Sequence, residues 1–144
     1  FATGSSPRIV HMGIDLGAPV GTPVFAFTDG IVLHSGYNPA KGDYGNAIVV
    51  EHWIHRKRKL WALCGHLSNA SIVHSYVGKH IQRGEIVGWI GNVHENGGWL
   101  PHVHFQLSIS PPDTHDMAGV VSLEDRDMAL KQYPDPRIVL GVLY

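Results

Sequence analysis

The sequence predicts an all-β domain in which short antiparallel strands, linked by hairpins, form a sheet or a sandwich. The 144 residues include 17 glycines and nine prolines, and such a composition favours strands joined by tight turns. Few segments show the apolar period of a long helix. From His102 to Ile109, polar and apolar residues alternate strictly, which is typical of a strand with one face in the core.

Six strands are predicted in chain order, each bounded by turn-forming residues. Asp29-Gly30 and Gly91-Asn92 are typical turn dipeptides, and Asp43-Tyr44-Gly45-Asn46 is a longer turn signal. The basic run His55-Arg56-Lys57-Arg58-Lys59 separates two of the strands, so we expect it to form a solvated hairpin tip. The predicted strands cover residues 23–27, 30–34, 47–52, 60–65, 86–90 and 102–109.

The C-terminal part departs from the strand pattern. Two adjacent prolines follow the last predicted strand, and Ser122-Leu123-Glu124-Asp125 resembles a helix-capping signal. These residues predict a short helix that ends near Gln132. The apolar residues 138–140 are expected to pack back onto the domain or to lead into a neighbouring one. We therefore expect residues 1–144 to form a single domain with a C-terminal extension over residues 111–144.

Composition excludes several classes of partner. The formal net charge of −1 gives no general attraction to nucleic acid or to an anionic membrane. No segment reaches the roughly 20 apolar residues that span a bilayer. The single cysteine, Cys64, lies in an apolar run and is expected to be a buried thiol. Because the sequence begins at Phe1, we expect a processed form or an excised piece of a longer protein.

Two histidines lie on the polar face of the last predicted strand. Side chains two positions apart in a strand leave by the same face, so His102 and His104 point the same way. Gln106 and Ser108 share that face, whereas the opposite face is apolar throughout. The apolar face is expected to be core, and the histidine face is expected to line a cleft.

His11 and Asp15 supply two further candidate metal ligands. They are four residues apart, and the glycines and prolines around them favour an extended segment or tight loop over a helix. Zinc binds neutral imidazole and carboxylate groups, and a site with three protein ligands leaves its fourth position for water. His11, Asp15 and one member of the His102/His104 pair form a candidate set of this open, catalytic kind.

Hydrolysis at such a site also needs a group that moves protons. The candidates are the second histidine of the His102/His104 pair and His66, at the end of a predicted strand. No H-E-x-x-H motif and no serine or cysteine nucleophile motif is present. The remaining histidines are expected at the surface or in turns: His34, His52, His55, His74, His80, His94 and His115.

The order of these motifs resembles the lysostaphin-type zinc metallopeptidases, most of which cut peptide bridges or stems in bacterial peptidoglycan. H-x-x-x-D, G-H-L and H-x-H-F occur in that order, and the similarity covers about residues 8–110. The resemblance implies an antiparallel β-sandwich with an open zinc groove and one Zn²⁺ per chain. By matching position it implies the metal ligands His11, Asp15 and His104 and the catalytic histidines His66 and His102. His102 would be the favoured general base, and His66 would help to stabilise the oxyanion.

One loop departs from the family pattern. Residues 94–101, before the H-x-H motif, are bulkier than the small Ser-Thr-Gly-rich loop of many members and are expected to reshape one groove wall. The Asn96-Gly97-Gly98-Trp99 segment is similar to peptidase-like domains embedded in large aminotransferase-containing proteins. Neighbouring domains of a longer chain are therefore candidate partners beside a peptide substrate.

The leading hypothesis is a zinc-dependent metalloendopeptidase that hydrolyses Gly-rich or peptidoglycan-type peptides through a metal-activated water with histidine acid-base help. A cell-wall hydrolase of this kind would be extracellular or periplasmic. The alternative is a non-catalytic, zinc-binding module of a larger multidomain protein, which could be cytoplasmic. A phosphate-carrying histidine relay is disfavoured, because the carboxylate of Asp15 would repel the phosphate.

Overall fold

The computed structural model of the chain describes residues 7–141, which are built mainly from antiparallel strands. This confirms the predicted fold class, including the short helix that ends at Gln132. In chain order the elements are β1 (Arg8–His11), β2 (Ile14–Gly17), β3 (Pro23–Phe25), β4 (Gly30–Asn38), β5 (Gly45–His55), β6 (Arg58–Leu67), α1 (Asn69–His74), β7 (His80–Ile81), β8 (Ile86–Trp89), β9 (His102–Ser108), β10 (Val120–Ser122), α2 (Arg126–Gln132) and α3 (Arg137–Leu140).

The strands form one large sheet and two small ones. The large sheet has six strands in the order β2-β9-β6-β5-β4-β7, and the pairs β1-β10 and β3-β8 form separate two-stranded sheets. Strand β2 lies at one edge of the large sheet and pairs with β9, so the segment with Asp15 lies beside the segment with His104. The topology thus brings two distant motifs together.

Alternating residues of the central strands divide between two apolar clusters, one on each face of the large sheet. The larger cluster includes Val87 of β8, and Val24 of β3 packs against it, so the β3-β8 pair forms a second layer on this face. The buried members of the larger cluster are Ala26, Val32, Ile48, Val50, Leu60, Ala62, Cys64, Leu67, Ile81, Val87, Ile90, Val103, Phe105 and Leu107. The smaller cluster on the opposite face consists of Tyr44, Ala47, Val49, Trp61, Leu63 and Met117.

The basic run lies where the sequence predicts it, at the tip of the β5-β6 hairpin. Arg56 and Lys57 occupy the turn with positive φ angles of 40° and 67°. Both turn positions of a tight two-residue hairpin loop of this kind need positive φ. The run is exposed except at Lys59, which is half-buried and pairs with Glu51 at 3.0 Å.

The C-terminal residues pack back onto the domain, which is one of the two arrangements expected from the sequence for residues 138–140. Val139 and Leu140 contact the larger apolar cluster. Helix α2 begins at Arg126 rather than beside Ser122, because Ser122 belongs to β10 and pairs with Arg8 of β1. Among residues 7–141, no helix is long and apolar enough to cross a membrane.

One side-chain expectation is wrong. His52, expected at the surface or in a turn, is only 2% exposed, because its ring packs against Phe27 and its Nδ1 lies 3.1 Å from the carbonyl oxygen of Thr28. Burial of Cys64 agrees with the sequence expectation.

Candidate active site

The two candidate ligand motifs meet on the sheet face opposite the larger apolar cluster. Asp15 and His104 are directly paired across β2 and β9, and His11 ends β1 just before them. Asp15 Oδ1 lies 3.4 Å from His11 Nε2 and 3.1 Å from His104 Nδ1. Ligand atoms of these three residues all lie within 4.8 Å of one another. The structure thus brings together the three residues that the resemblance singles out as a ligand set.

Three histidines around this point have one ring nitrogen bound to a backbone carbonyl. The Nδ1 atoms of His11, His66 and His102 each lie 2.7 Å from a carbonyl oxygen, those of Gly13, Asn96 and Leu100 respectively. A carbonyl only accepts, so the neutral ring carries its proton on Nδ1. Each Nε2 therefore keeps a free lone pair.

His104 has the opposite arrangement. Its Nε2 lies 2.8 Å from Gln106 Oε1. The orientation of this amide is fixed, since Gln106 Nε2 donates to the carbonyl oxygen of Ala118 at 3.1 Å. The amide oxygen must then accept from His104 Nε2, and Nδ1 is left with the lone pair that faces Asp15.

The residues fit a divalent cation. Lone pairs of His11 Nε2 and His104 Nδ1 face the Asp15 carboxylate, and neutral rings place no proton between them. Such an arrangement is stable only with a proton or a metal ion at its centre. Tetrahedral zinc with bonds of about 2.0–2.1 Å separates its ligand atoms by about 3.3 Å, close to the observed 3.1 and 3.4 Å.

The same contacts explain the pKa shifts of these side chains. Burial acts to raise the pKa of Asp15, but the hydrogen bonds that His104 and His11 donate when their rings are protonated outweigh it and hold that pKa well below its usual range. The hydrogen bond that the protonated ring donates to Asp15 raises the pKa of His11. Negative charge is therefore concentrated on Asp15, where a cation would bind.

Gly13 separates the two ligands of the first motif and lies against the third. A Cβ atom built on Gly13 would lie 2.5 Å from His104 Nε2 and 2.7 Å from the carbonyl oxygen of Phe105. Real Cβ atoms do not approach other atoms so closely. Only glycine therefore allows β2 and β9 to place their ligands at this separation.

A β-bulge brings His66 onto the same face. Between two paired positions, β5 advances from Asn46 to Ile48 while β6 advances from Cys64 to Leu67, so β6 contains one extra residue. His66 has a φ of 64°, which is uncommon for a residue other than glycine. The extra residue reverses the alternation of β6, because Leu67 joins the larger cluster and His66 faces the other way.

His66 and His102 lie beside the three candidate ligands. Their ring centroids are 4.3 Å apart, and His102 Nε2 lies 3.7 Å from Asp15 Oδ1. Burial, assisted by the neighbouring histidines, lowers the pKa of His66 to about 4. His66 is therefore neutral near pH 7, with an Nε2 that accepts a proton rather than donating one.

These side chains line an open groove of about 1190 Å³. Trp99 is 44% exposed on its wall, with its ring 5.9 Å from that of His66 and 6.2 Å from that of His102. The Trp99 indole donates to the carbonyl oxygen of Asp43 at 3.2 Å and so connects the 94–101 loop to the turn before β5. Other parts of the wall come from residues 111–114, 116–120 and 132–133.

Sequence reasoning did not single out three residues that support the site. Tyr44 is 7% exposed, and its hydroxyl donates to the carbonyl oxygen of Met117 at 3.0 Å. Asn96 is fully buried, and its amide binds the backbone of Gly91 and Trp99. Gln106 had a signal, since it shares the predicted histidine face, but nothing in the sequence shows its contact with His104.

Comparison with known proteins identifies the family of the chain. The model of the family described as Peptidase family M23 matches residues 9–115. The chain belongs to Peptidase family M23. The resemblance to lysostaphin-type peptidases is therefore confirmed, and the chain is assigned to the peptidases, a class of hydrolase.

Named relatives include a DD-carboxypeptidase/endopeptidase and a glycyl-glycine endopeptidase. The DD-carboxypeptidase/endopeptidase Mpg of Neisseria meningitidis serogroup B is 35% identical over 101 residues, which are 70% of this chain and 20% of that protein. Glycyl-glycine endopeptidase ALE-1 of Staphylococcus capitis is 33% identical over 96 residues, 67% of this chain and 24% of the relative. The chain thus spans about a fifth to a quarter of the length of these relatives.

Solved structures show the same fold. The catalytic domain of the prophage-encoded M23 protein EnpA from Enterococcus faecalis, in a mutant form, superposes with a TM-score of 0.59 and 27% identity, over 79% of both chains. The catalytic domain of lysostaphin from Staphylococcus simulans gives a TM-score of 0.56 at 24% identity, covering 88% of this chain and 86% of the other. The latter likeness concerns the fold alone.

Proposed function

We propose that this chain is a zinc-dependent endopeptidase domain in which His11, Asp15 and His104 bind one Zn²⁺ and His66 and His102 transfer protons. The observation that carries the proposal is the convergence of three ligand atoms within 4.8 Å of one another. The ring nitrogens among them have their lone pairs directed inward by hydrogen bonds on the far side of each ring. Three protein ligands leave room for water and substrate.

A bound zinc ion would lower the pKa of a water molecule and polarise the scissile carbonyl group. His102 Nε2 carries a free lone pair next to the ligand set, and we assign it the role of general base toward the attacking water. His66 Nε2 also accepts in its neutral form. It can stabilise an oxyanion or protonate the leaving amine only after it has taken up a proton.

The proposed substrates are Gly-rich or peptidoglycan-type peptides. Support comes from the relatives, which are named as a DD-carboxypeptidase/endopeptidase and a glycyl-glycine endopeptidase. The groove is open, and Trp99 forms part of its wall beside both catalytic histidines. A bulky wall residue at this position favours a peptide substrate with small side chains. We also propose that residues 1–144 form one domain with a C-terminal extension over residues 111–144, of which the family match includes residues 111–115.

Two alanine variants test the assignment of ligand and base. His104→Ala is expected to lose both bound zinc and activity, whereas His102→Ala is expected to retain zinc and to lose turnover. Zinc content is measured by elemental analysis, and hydrolysis is measured on pentaglycine and on purified peptidoglycan. His80→Ala is the matched control, since His80 is exposed in β7 and lines no part of the groove.

Each other outcome has a defined meaning. Retention of zinc in both variants would contradict the ligand set. Loss of zinc in both would contradict the role of His102. Full zinc occupancy in the unaltered protein without hydrolysis of either substrate would favour the alternative, a non-catalytic zinc-binding module of a larger protein.

A further inference from the structure

Three consecutive backbone carbonyls lie behind the candidate metal centre. They belong to residues 117–119, which we call the carbonyl strap. The carbonyl oxygens of Met117, Ala118 and Gly119 accept hydrogen bonds from Tyr44 Oη at 3.0 Å, Gln106 Nε2 at 3.1 Å and the backbone N–H of Met12 at 2.8 Å. The strap lies beyond residue 115, where the family match ends.

Each donor to the carbonyl strap adjoins a proposed ligand. Met12 directly follows His11 in the chain. Gln106 Oε1 and Tyr44 Oη lie 2.8 and 3.4 Å from His104 Nε2. The strap therefore contacts the surroundings of two of the three ligands without contributing a ligand itself.

The carbonyl strap determines which atoms face His104. Gln106 is fully buried, so water cannot substitute for a missing partner. The carbonyl of Ala118 forces the amide nitrogen of Gln106 away from His104 and the amide oxygen toward it. Tyr44 donates its hydroxyl hydrogen to the carbonyl oxygen of Met117, so its hydroxyl oxygen presents a lone pair to His104 Nε2. Two acceptors thus face His104 Nε2.

On the opposite side of the ring, Asp15 competes for the same proton. Its carboxylate lies 3.1 Å from His104 Nδ1, a distance at which a charged acceptor forms a strong hydrogen bond. If the proton moved to Nδ1, His104 would donate to Asp15 and could not bind a metal through that nitrogen. Something must therefore hold the proton on Nε2.

We propose that Gln106, oriented by the carbonyl strap, is the positioning residue of the metal centre: it holds the proton of neutral His104 on Nε2 and so presents Nδ1 as a ligand. The inference rests on the proposed function, in which His104 binds the metal. Partners on the far side of a ligating histidine fix its tautomer and raise its affinity for the metal. Here that partner depends on a segment outside the family-matched residues.

The test compares three variants in the metal-free and the zinc-bound protein. Gln106→Met keeps the length of the side chain and removes the acceptor. Gln106→Glu keeps a side-chain oxygen that accepts from His104 Nε2 whether or not the carboxyl group is ionised, so it is the conservative rescue. Gln82→Met is the control, because Gln82 is an exposed glutamine that lines no part of the groove.

The position of the proton is read from long-range ¹H–¹⁵N spectra of the histidine rings in the metal-free protein near pH 8. We expect Nε2–H for His104 in the unaltered protein, in Gln106→Glu and in Gln82→Met, and a shift toward Nδ1–H in Gln106→Met. Zinc affinity, from competition with a chelator, is expected to fall about 10- to 100-fold in Gln106→Met. Gln106→Glu should stay within a few-fold of the unaltered protein.

Two results would overturn the inference, and neither depends on peptidase activity. One is an Nδ1–H tautomer of His104 in the unaltered metal-free protein, which decides the matter even if Gln106→Met fails to fold. The other is unchanged zinc affinity in a folded Gln106→Met. If zinc affinity depends on Gln106 but no peptide is cleaved, only the endopeptidase proposal fails; if peptides are cleaved while zinc affinity is unchanged in a folded Gln106→Met, only the positioning role fails.

Discussion

A single added methyl group at Gly13 should disrupt the metal centre while leaving the fold in place. In Gly13→Ala the new Cβ would lie 2.5 Å from His104 Nε2 and 2.7 Å from the carbonyl oxygen of Phe105. Ordinary contacts between such atoms are about 3.5 Å or longer. Strands β2 and β9 must therefore separate, or the His104 ring must move, by nearly 1 Å.

The proposed zinc site is far less tolerant of this displacement than the fold is. Ligand distances at a metal site are held to about 0.2 Å, so a shift several times larger should reduce zinc affinity by about 100-fold or more. Overpacking costs the fold about 1–3 kcal/mol. For a chain of this size that corresponds to a decrease in Tm of roughly 3–10 °C.

Gly17→Ala is the matched control, because Gly17 ends β2, the strand that Gly13 directly precedes, and a Cβ there would meet nothing within 4 Å. Zinc affinity is measured by chelator competition, and the Tm of the metal-free proteins by circular dichroism. Gly17→Ala should change neither by much. If Gly13→Ala bound zinc as tightly as Gly17→Ala, the close approach of β2 and β9 would not be what sets the ligand geometry.

Three further predictions concern other parts of the molecule. Burial lowers the pKa of His52 below its ordinary value of 6.5, so the unfolded state binds more protons and the stability of the fold falls as the pH decreases below about 6.5. Urea unfolding at pH 7 and pH 5 should show a weaker pH dependence of stability in His52→Gln than in the unaltered protein, and an equal pH dependence in both would refute burial of His52 as its cause. Burial raises the pKa of the Cys64 thiol to about 12, so a thiol reagent at pH 8 should label it no faster than the protein unfolds, and rapid labelling of the folded protein would contradict the structure. Trp99→Ala should raise KM by roughly 2- to 12-fold, the equivalent of about 0.5–1.5 kcal/mol of aromatic contact, with unchanged zinc content; Trp99→Phe should retain most of the binding, and loss of zinc in either variant would show that Trp99 supports the metal centre instead.

The parts of the fold that the sequence predicts well are those with a repeated pattern. Strand β9 is predicted over residues 102–109 and spans His102–Ser108. The prediction succeeds because seven alternating residues leave little freedom in where the strand lies and which side chains face the core. The β5-β6 hairpin follows from a charged run between two apolar ones. Strands β1, β7 and β10 have only two to four residues each, too few for a period to be detected.

The supporting contacts of the candidate site could not be predicted for a different reason. The groove-facing position of His66 depends on a bulge that places a histidine, not a glycine, at positive φ. The carbonyl strap acts through main-chain oxygens, which every residue possesses, so no residue type marks it. The motif spacing indicates which side chains converge, while the tautomer of each ring depends on partners brought in by the whole topology.

Strand β1 carries His11 but is held weakly by the rest of the protein. It has four residues, three of them exposed, and its ladder partner is the short strand β10 rather than the large sheet. Local fraying is easiest where few apolar contacts must be broken. A cation shared by His11, Asp15 and His104 would cross-link this segment to β2 and β9, so amide exchange in β1 and β10 should slow markedly when metal is present. Metal occupancy and order in the β1-β10 pair are thus coupled.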